Sequence, residues 1–322
     1  MSFTVAIPQD ISNAGKDYLS EKGYRLVVGS GPAGPDEIKR LIAGADAILA
    51  RTNPFPREVL EAAAKLRVIG RHGIGVDNID VPYCTQRGIW VTHTPNANAV
   101  SVAEHVMGFL VAIARGFAFM DRETRAGNWE IRNQRKGVDL DGKTLGVVGL
   151  GRIGKLVAEK ARAAFNMEIL GFDAIIKPEN YPAGVAAAAT EDIFARADFV
   201  TLHVPAVAGT RGMVDAKLLA RMKKTAFLIN CARGEIVKEG DLHDALANHR
   251  IAGAAIDVYE TEPPRPDNPL FRLDNLLATP HSAALTAEAM DRMGLHAAMG
   301  IHAVLSGGKP EWPVNQPAAP AK

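Results

Sequence analysis

Residues 144–173 read TLGVVGLGRIGKLVAEKARAAFNMEILGFD, and the order of apolar, glycine and amphipathic segments in this stretch decides the class of fold. An apolar run at 145–148 enters Gly149, Gly151 and Gly154, an amphipathic segment follows, and a second apolar run ends at Asp173. A strand, a glycine turn, a helix and a strand in this spacing make a βαβ unit that holds a dinucleotide. Gly149 permits the tight turn, Gly151 lets the backbone approach a pyrophosphate, and Gly154 lets the helix pack closely on the strand. The diphosphate is expected at the helix N-terminus, where free amides and the helix dipole face it, with Arg152 and Ile153 in the same first turn. A carboxylate at Asp173 accepts hydrogen bonds from ribose hydroxyls and repels a 2'-phosphate, so NAD is expected rather than NADP; Lys177 is the nearby cation that softens the choice.

The 322 residues suit two domains, and 47% hydrophobic content lets both bury a core. With 37 basic against 36 acidic side chains, no charge excess or basic tract points to nucleic acid. No apolar run approaches the roughly 20 residues that span a bilayer. The start, MSFTVAIPQD, lacks the pattern of a signal peptide. Cys84 and Cys231 stand far apart, without the spacing of a disulfide framework or a zinc site. A cytoplasmic protein without a metal is the expectation.

Around the central unit, strand candidates at 3–7, 24–28, 47–50, 68–70 and 90–92 alternate with amphipathic segments and predict a small flavodoxin-like parallel sheet. A turn-rich stretch at 94–98 ends it, and a long apolar helix over 101–114, carrying Glu104 and His105, follows. Residues 122–142 read as polar and irregular, with Trp129 as a core or interface anchor. Further strands are predicted at 199–203, 226–230, 253–258 and 276–280, then a second long helix over 283–306 and a proline-rich tail. Ligands of such sheets bind at the carboxyl ends of the strands. Val204, Pro205, Cys231, Ala232, Arg233, Asp257 and His281 stand there.

Hydride transfer from an alcohol carbon needs a group that takes the hydroxyl proton, and histidine suits that near neutral pH. A carboxylate beside it orients the ring and favours the imidazolium. Arginine holds a substrate carboxylate through two parallel hydrogen bonds. His281, Glu262 and Arg233 are the candidates, and their coincidence at successive strand ends outweighs the bland reading of each alone.

GVVGLGRIG at 146–154, NCARGEIV at 230–237, AAIDVYETEPP at 254–264 and TPHSAALT at 279–286 resemble, in that order, the signatures of the D-isomer-specific 2-hydroxyacid dehydrogenases, with similarity over about 47–307. The resemblance implies Arg233 as substrate-orienting residue, Glu262 as histidine partner and His281 as general acid/base. It also implies that Asp257 and the backbone near Cys231 meet the nicotinamide carboxamide and that Val204 contacts the adenosine side. Pro205, Ala232, Arg233, His281 and Ala283 complete the expected cofactor set. A Rossmann NAD-binding domain at 99–285, inserted into a discontinuous substrate-binding domain at 1–98 and 286–322, and a homodimer follow from the same resemblance.

Upstream, RHGIGVDN at 71–78 resembles the family's substrate loop, and glycines at 73 and 75 independently expose amides that can nest a carboxylate. Ile74, Gly75 and Val76 are the expected contacts. Arg51 and Arg71 end adjacent strands, and these two cations suggest a second anionic group on the substrate. That pair looks closest to short-form D-3-phosphoglycerate dehydrogenase-like members. His72, Ile74 and the HSAALT run depart from their pattern, so a phosphonate, sulfonate or dicarboxylate analogue fits the same charges. Two alternatives share the fold: a formate or phosphite dehydrogenase, the former opposed by Glu262, and an NAD-sensing interaction protein resembling the corepressors.

Overall fold

Short runs of aliphatic residues, apolar on both faces, suit only a parallel sheet covered by helices on each side. The computed structural model describes residues 2–31 and 33–317 and divides into two units, 1–98 with 284–322 and 99–283.

In the first unit β1 (Thr4–Ile7), β2 (Arg25–Val28), β3 (Ala47–Ala50), β4 (Val68–Arg71) and β5 (Trp90–Thr92) form a parallel sheet in the order β2-β1-β3-β4-β5. This is the flavodoxin-like order. Central β3 is buried throughout, whereas edge strand β2 is partly exposed. Helices α1 (Asn13–Glu21), α2 (Pro35–Ile42), α3 (Arg57–Leu60) and α4 (Val81–Gln86) connect the strands.

The second unit opens with α5 (Ala99–Arg115), α6 (Phe117–Arg125) and α7 (Ile131–Gln134). β6 (Thr144–Val148), α8 (Arg152–Phe165) and β7 (Glu168–Phe172) form the predicted βαβ unit. β8 (Val185–Ala187), α9 (Thr190–Arg196), β9 (Phe199–Leu202), α10 (Ala216–Leu219), β10 (Phe227–Asn230), α11 (Glu239–Ala247), β11 (Gly253–Ile256) and β12 (Leu276–Ala278) follow. The seven strands run in the order β12-β11-β10-β9-β6-β7-β8, all parallel. The order reverses between β6 and β9, and ligands of such sheets bind at that switch point.

The chain returns to the first unit with α12 (Ala287–Leu305), whose Ala297, Ala298, Ile301 and Leu305 join Val5, Ile7, Leu49 and Val68 in one core. Beyond it, Pro313 bridges Thr92 at the edge of β5 and Val314 N donates to Val91 O at 2.8 Å. The rest of the proline-rich tail, 318–322, lies outside the described residues.

Three readings of the chain are corrected. The stretch 122–142 is not irregular throughout: α6 continues to Arg125, supported by the Asp121–Arg125 pair at 2.8 Å, and α7 follows. α6 buries none of its residues, so no apolar stripe betrays it. Trp129 is 63% exposed and carries the Arg132 guanidinium over its ring, so it is not a core residue. The last long helix begins at Ala287 rather than 283, with Thr286 accepting from Ala289 N as its cap, because residues 282 and 283 are drawn to Asp257. Strand β8, three residues long and largely exposed, carries no pattern to read.

Candidate active site

The turn after β6 is built by contact. Gly149 has φ +97°, and a Cβ on it would meet His203 O at 2.5 Å. A Cβ on Gly154 would stand 1.9 Å from Gly149 O, so α8 reaches this turn only because no side chain intervenes. At Gly151 nothing lies within 4 Å of the Cβ position, and α8 has no side-chain cap on its first amides. An open cradle above uncapped helix amides fits a pyrophosphate. Arg152 is exposed beside it, Ile153 half-buried, and Val204 flanks Gly149 at the end of β9, with exposed Pro205 next.

Asp173 follows β7 and is more occupied than the sequence suggests. Its carboxylate accepts from Leu150 N at 2.8 Å and from Ile175 N and Ile176 N, each at 2.8 Å. Burial pushes its pKa up, but these amides and the charge of Lys155 outweigh it and leave the pKa below the usual range. Of about four acceptor positions on a carboxylate, three thus hold the protein's own turns. Lys155 on α8 is a nearby cation whose charge acts on it.

At the carboxyl ends of β10, β11 and β12 the predicted catalytic residues collect. His281 Nδ1 donates to Glu262 Oε2 at 2.6 Å, the His281 side chain being about half and the Glu262 side chain about a third exposed. Glu262 Oε1 accepts from Tyr259 N at 3.1 Å. Burial raises the Glu262 pKa, but the hydrogen bond and charge of His281, the Tyr259 amide and the Arg233 charge together hold it below the ordinary value. The carboxylate is therefore ionised and fixes the imidazole with Nε2 free of this bond. Arg233 lies within electrostatic reach of Glu262 and donates through Nη1 to Ala232 O at 2.7 Å.

His281 itself has φ +50°, a left-handed conformation that costs a residue with a Cβ roughly 1–2 kcal/mol. The buried Asp257 holds it there: its carbonyl accepts from His281 N at 2.8 Å, and its carboxylate accepts from Ser282 N at 2.8 Å and Ala283 N at 2.9 Å. Asn230, to which the sequence reading gave no role, is 1% exposed and clamps the 231–233 turn, donating to Arg233 O at 2.9 Å and accepting from Ala232 N at 3.0 Å. Cys231 is buried, and burial beside Asp257 holds its thiol protonated.

The remaining candidates belong to the first unit. Arg51 and Arg71 follow and end the paired strands β3 and β4. Arg51 Nη1 donates to Asp10 O at 3.3 Å, and Arg71 Nη1 donates to His72 O. Gly73 N donates to Thr94 Oγ1 at 3.0 Å and Asn78 Nδ2 donates to Arg51 O at 3.1 Å, tying down the loop. The amides of Ile74, Gly75 and Val76 find no acceptor among the described residues, as a nest for a carboxylate requires. His72 is 3% exposed, its Nε2 unpartnered; burial, then the charges of Arg71 and Arg51, push its pKa down to about 4.

A switch-point glycine cradle and a carboxylate–histidine pair at the strand ends of one doubly wound sheet define a dinucleotide-dependent oxidoreductase domain. Residues 107–283 match the family described as D-isomer specific 2-hydroxyacid dehydrogenase, NAD binding domain. Over 289 residues the chain is 44% identical to a D-3-phosphoglycerate dehydrogenase of Methanocaldococcus jannaschii, covering 88% of this chain and 54% of that protein. It is 40% identical over 269 residues to a glyoxylate reductase of Korarchaeum cryptofilum, covering 82% and 81%. The crystal structure of the TT0316 protein from Thermus thermophilus is similar with a TM-score of 0.90 at 34% identity, covering 97% of this chain and 100% of that one. The chain therefore belongs to the D-isomer specific 2-hydroxyacid dehydrogenases, and its second unit is their NAD-binding domain. It spans about half the length of the M. jannaschii protein.

Proposed function

We propose that the chain is an NAD-dependent oxidoreductase that interconverts a D-2-hydroxy acid and its 2-oxo acid. The His281–Glu262 bond of 2.6 Å carries this reading, because it supplies an oriented acid/base in the domain that binds the dinucleotide. NAD supplies the hydride acceptor, or NADH the donor. In oxidation His281 Nε2 takes the hydroxyl proton while Glu262 stabilises the imidazolium; in reduction the protonated ring returns it to the carbonyl oxygen. Arg233 orients the 2-oxo acid through its carboxylate. In the first unit the 74–76 amides are assigned to a substrate carboxylate, and Arg51 and Arg71 to a second anionic group. Asp173 favours NAD over NADP. A homodimer and a cytoplasmic setting belong to the same proposal.

The relatives named above carry the names of different acids, so the choice of 2-oxo acid separates the substrate readings. The test is NADH oxidation with 3-phosphohydroxypyruvate, 3-sulfopyruvate, oxaloacetate, glyoxylate and pyruvate, repeated with NADPH. Turnover confined to the doubly anionic acids supports the roles of Arg51 and Arg71. Preference for glyoxylate or pyruvate removes those roles but keeps the reaction class, and NADH binding without turnover of any acid sinks the enzyme reading.

A further inference from the structure

Behind the catalytic loop stands a histidine that the chemistry above does not use. His105, in the second turn of α5, has a side chain 22% exposed and packs edge-on against Phe109 with ring centroids 4.4 Å apart. Its Nε2 lies 3.2 Å from Thr279 Oγ1, and Thr279 Oγ1 donates to Asp257 Oδ1 at 2.5 Å. The threonine hydroxyl has one proton, which the carboxylate takes; its lone pairs are left for His105, which must then be the Nε2–H tautomer. Burial keeps the His105 pKa below its ordinary value against the pull of Asp257, in keeping with a neutral ring that donates from one nitrogen.

The carboxylate at the end of this chain is the one that pins Ser282 N and Ala283 N, while Tyr259 Oη fixes Thr279 O at 2.9 Å. His281 is thus held in its left-handed conformation from behind, and among the described residues the series runs back to His105. We propose that His105 is a positioning residue, which through the Thr279 hydroxyl orients the Asp257 carboxylate and so holds residues 281–283 in the conformation that presents His281. The role it acts on rests on the assignment of His281 as acid/base. Its effect on the backbone does not.

Two readouts separate these. Amide hydrogen exchange of Ser282 and Ala283 reports the backbone without any turnover, and steady-state kinetics reports the reaction. His105→Leu and Thr279→Val should each speed exchange of those amides about tenfold and lower kcat about tenfold, with KM for the 2-oxo acid changed less than twofold. The double variant should lose no more than either single one, since both break the same chain. His105→Gln, whose amide keeps a donor, should regain most of both. Thr279→Val is nearly isosteric and carries the test if the leucine variant does not fold. Unchanged exchange in Thr279→Val, additive losses, or a glutamine variant no better than leucine would each overturn the proposal. Altered exchange in a protein whose wild type turns over no acid would instead overturn the function of His281 while leaving the positioning intact.

Discussion

At the scale of single residues, the His281–Glu262 pair handles charge by pairing and the buried His72 by staying neutral. On the proposed role of His281 as acid/base, His281→Ala should lower kcat by at least about 10²-fold, the smaller of the usual contributions of acid/base catalysis. Reduction needs the ring protonated and oxidation needs it neutral. The kcat for 2-oxo acid reduction should therefore fall as pH rises, and that for oxidation should fall as pH drops. A reduction rate independent of pH would contradict the role. His72 makes a different prediction. Its folded pKa of about 4 lies below the unfolded value of 6.5, so the native state stays neutral while the unfolded chain takes a proton. The stability this confers is present above pH 6.5 and is lost as pH falls toward 4, by up to about 3 kcal/mol over that window. His72→Gln should flatten that part of the stability profile, measured by urea unfolding at intervals between pH 7 and 4.5.

At the scale of elements, the β6–α8 turn separates a glycine needed for folding from one available to a ligand. In Gly154→Ala the new methyl would lie 1.9 Å from Gly149 O. The helix must move, and a loss of stability of about 1–3 kcal/mol, or more, is expected together with loss of NADH binding. In Gly151→Ala the methyl meets nothing within 4 Å, so the melting temperature should hardly change while NADH affinity falls, because the methyl would enter the open cradle proposed for the pyrophosphate. Thermal unfolding beside NADH fluorescence titration distinguishes the two, and equal behaviour of both variants would contradict this division of labour. The helices α1 and α12 show the same reliance on close approach: a Cβ on Gly15 would lie 2.5 Å from Gly294 O.

At the scale of the whole molecule, the two units differ in how they use the chain. The second is continuous, 99–283, with a core of its own running from Val148 to Leu270. A polypeptide of those residues should fold alone and bind NADH, as circular dichroism and fluorescence would show. The first unit is discontinuous, and without α12 its sheet loses Ala297, Ala298, Ile301 and Leu305 from the core. Residues 1–98 alone should remain unfolded, and joining them to 284–322 through a short flexible linker should restore the fold. A cooperatively folded 1–98 fragment would show that α12 is dispensable.

The sequence by itself determined the class of fold, most strands and the placing of three candidate polar residues at strand ends, because these rest on local signals. Buried parallel strands are continuous apolar runs, the glycine turn has a fixed spacing, and Arg233, Glu262 and His281 sit in short motifs beside strand ends. The helices α6 and α7 and strand β8 were not legible, since exposed elements bury no stripe to set a period. Only the tertiary structure decided what the polar groups of the site do to one another. The three amides on Asp173, the clamp of Asn230 on its turn and the chain from His105 through Thr279 to Asp257 join groups on separate strands, loops and helices. Hydrogen bonds act over about 3 Å in space, and the 174 positions between His105 and Thr279 leave no trace of theirs in the order of residues.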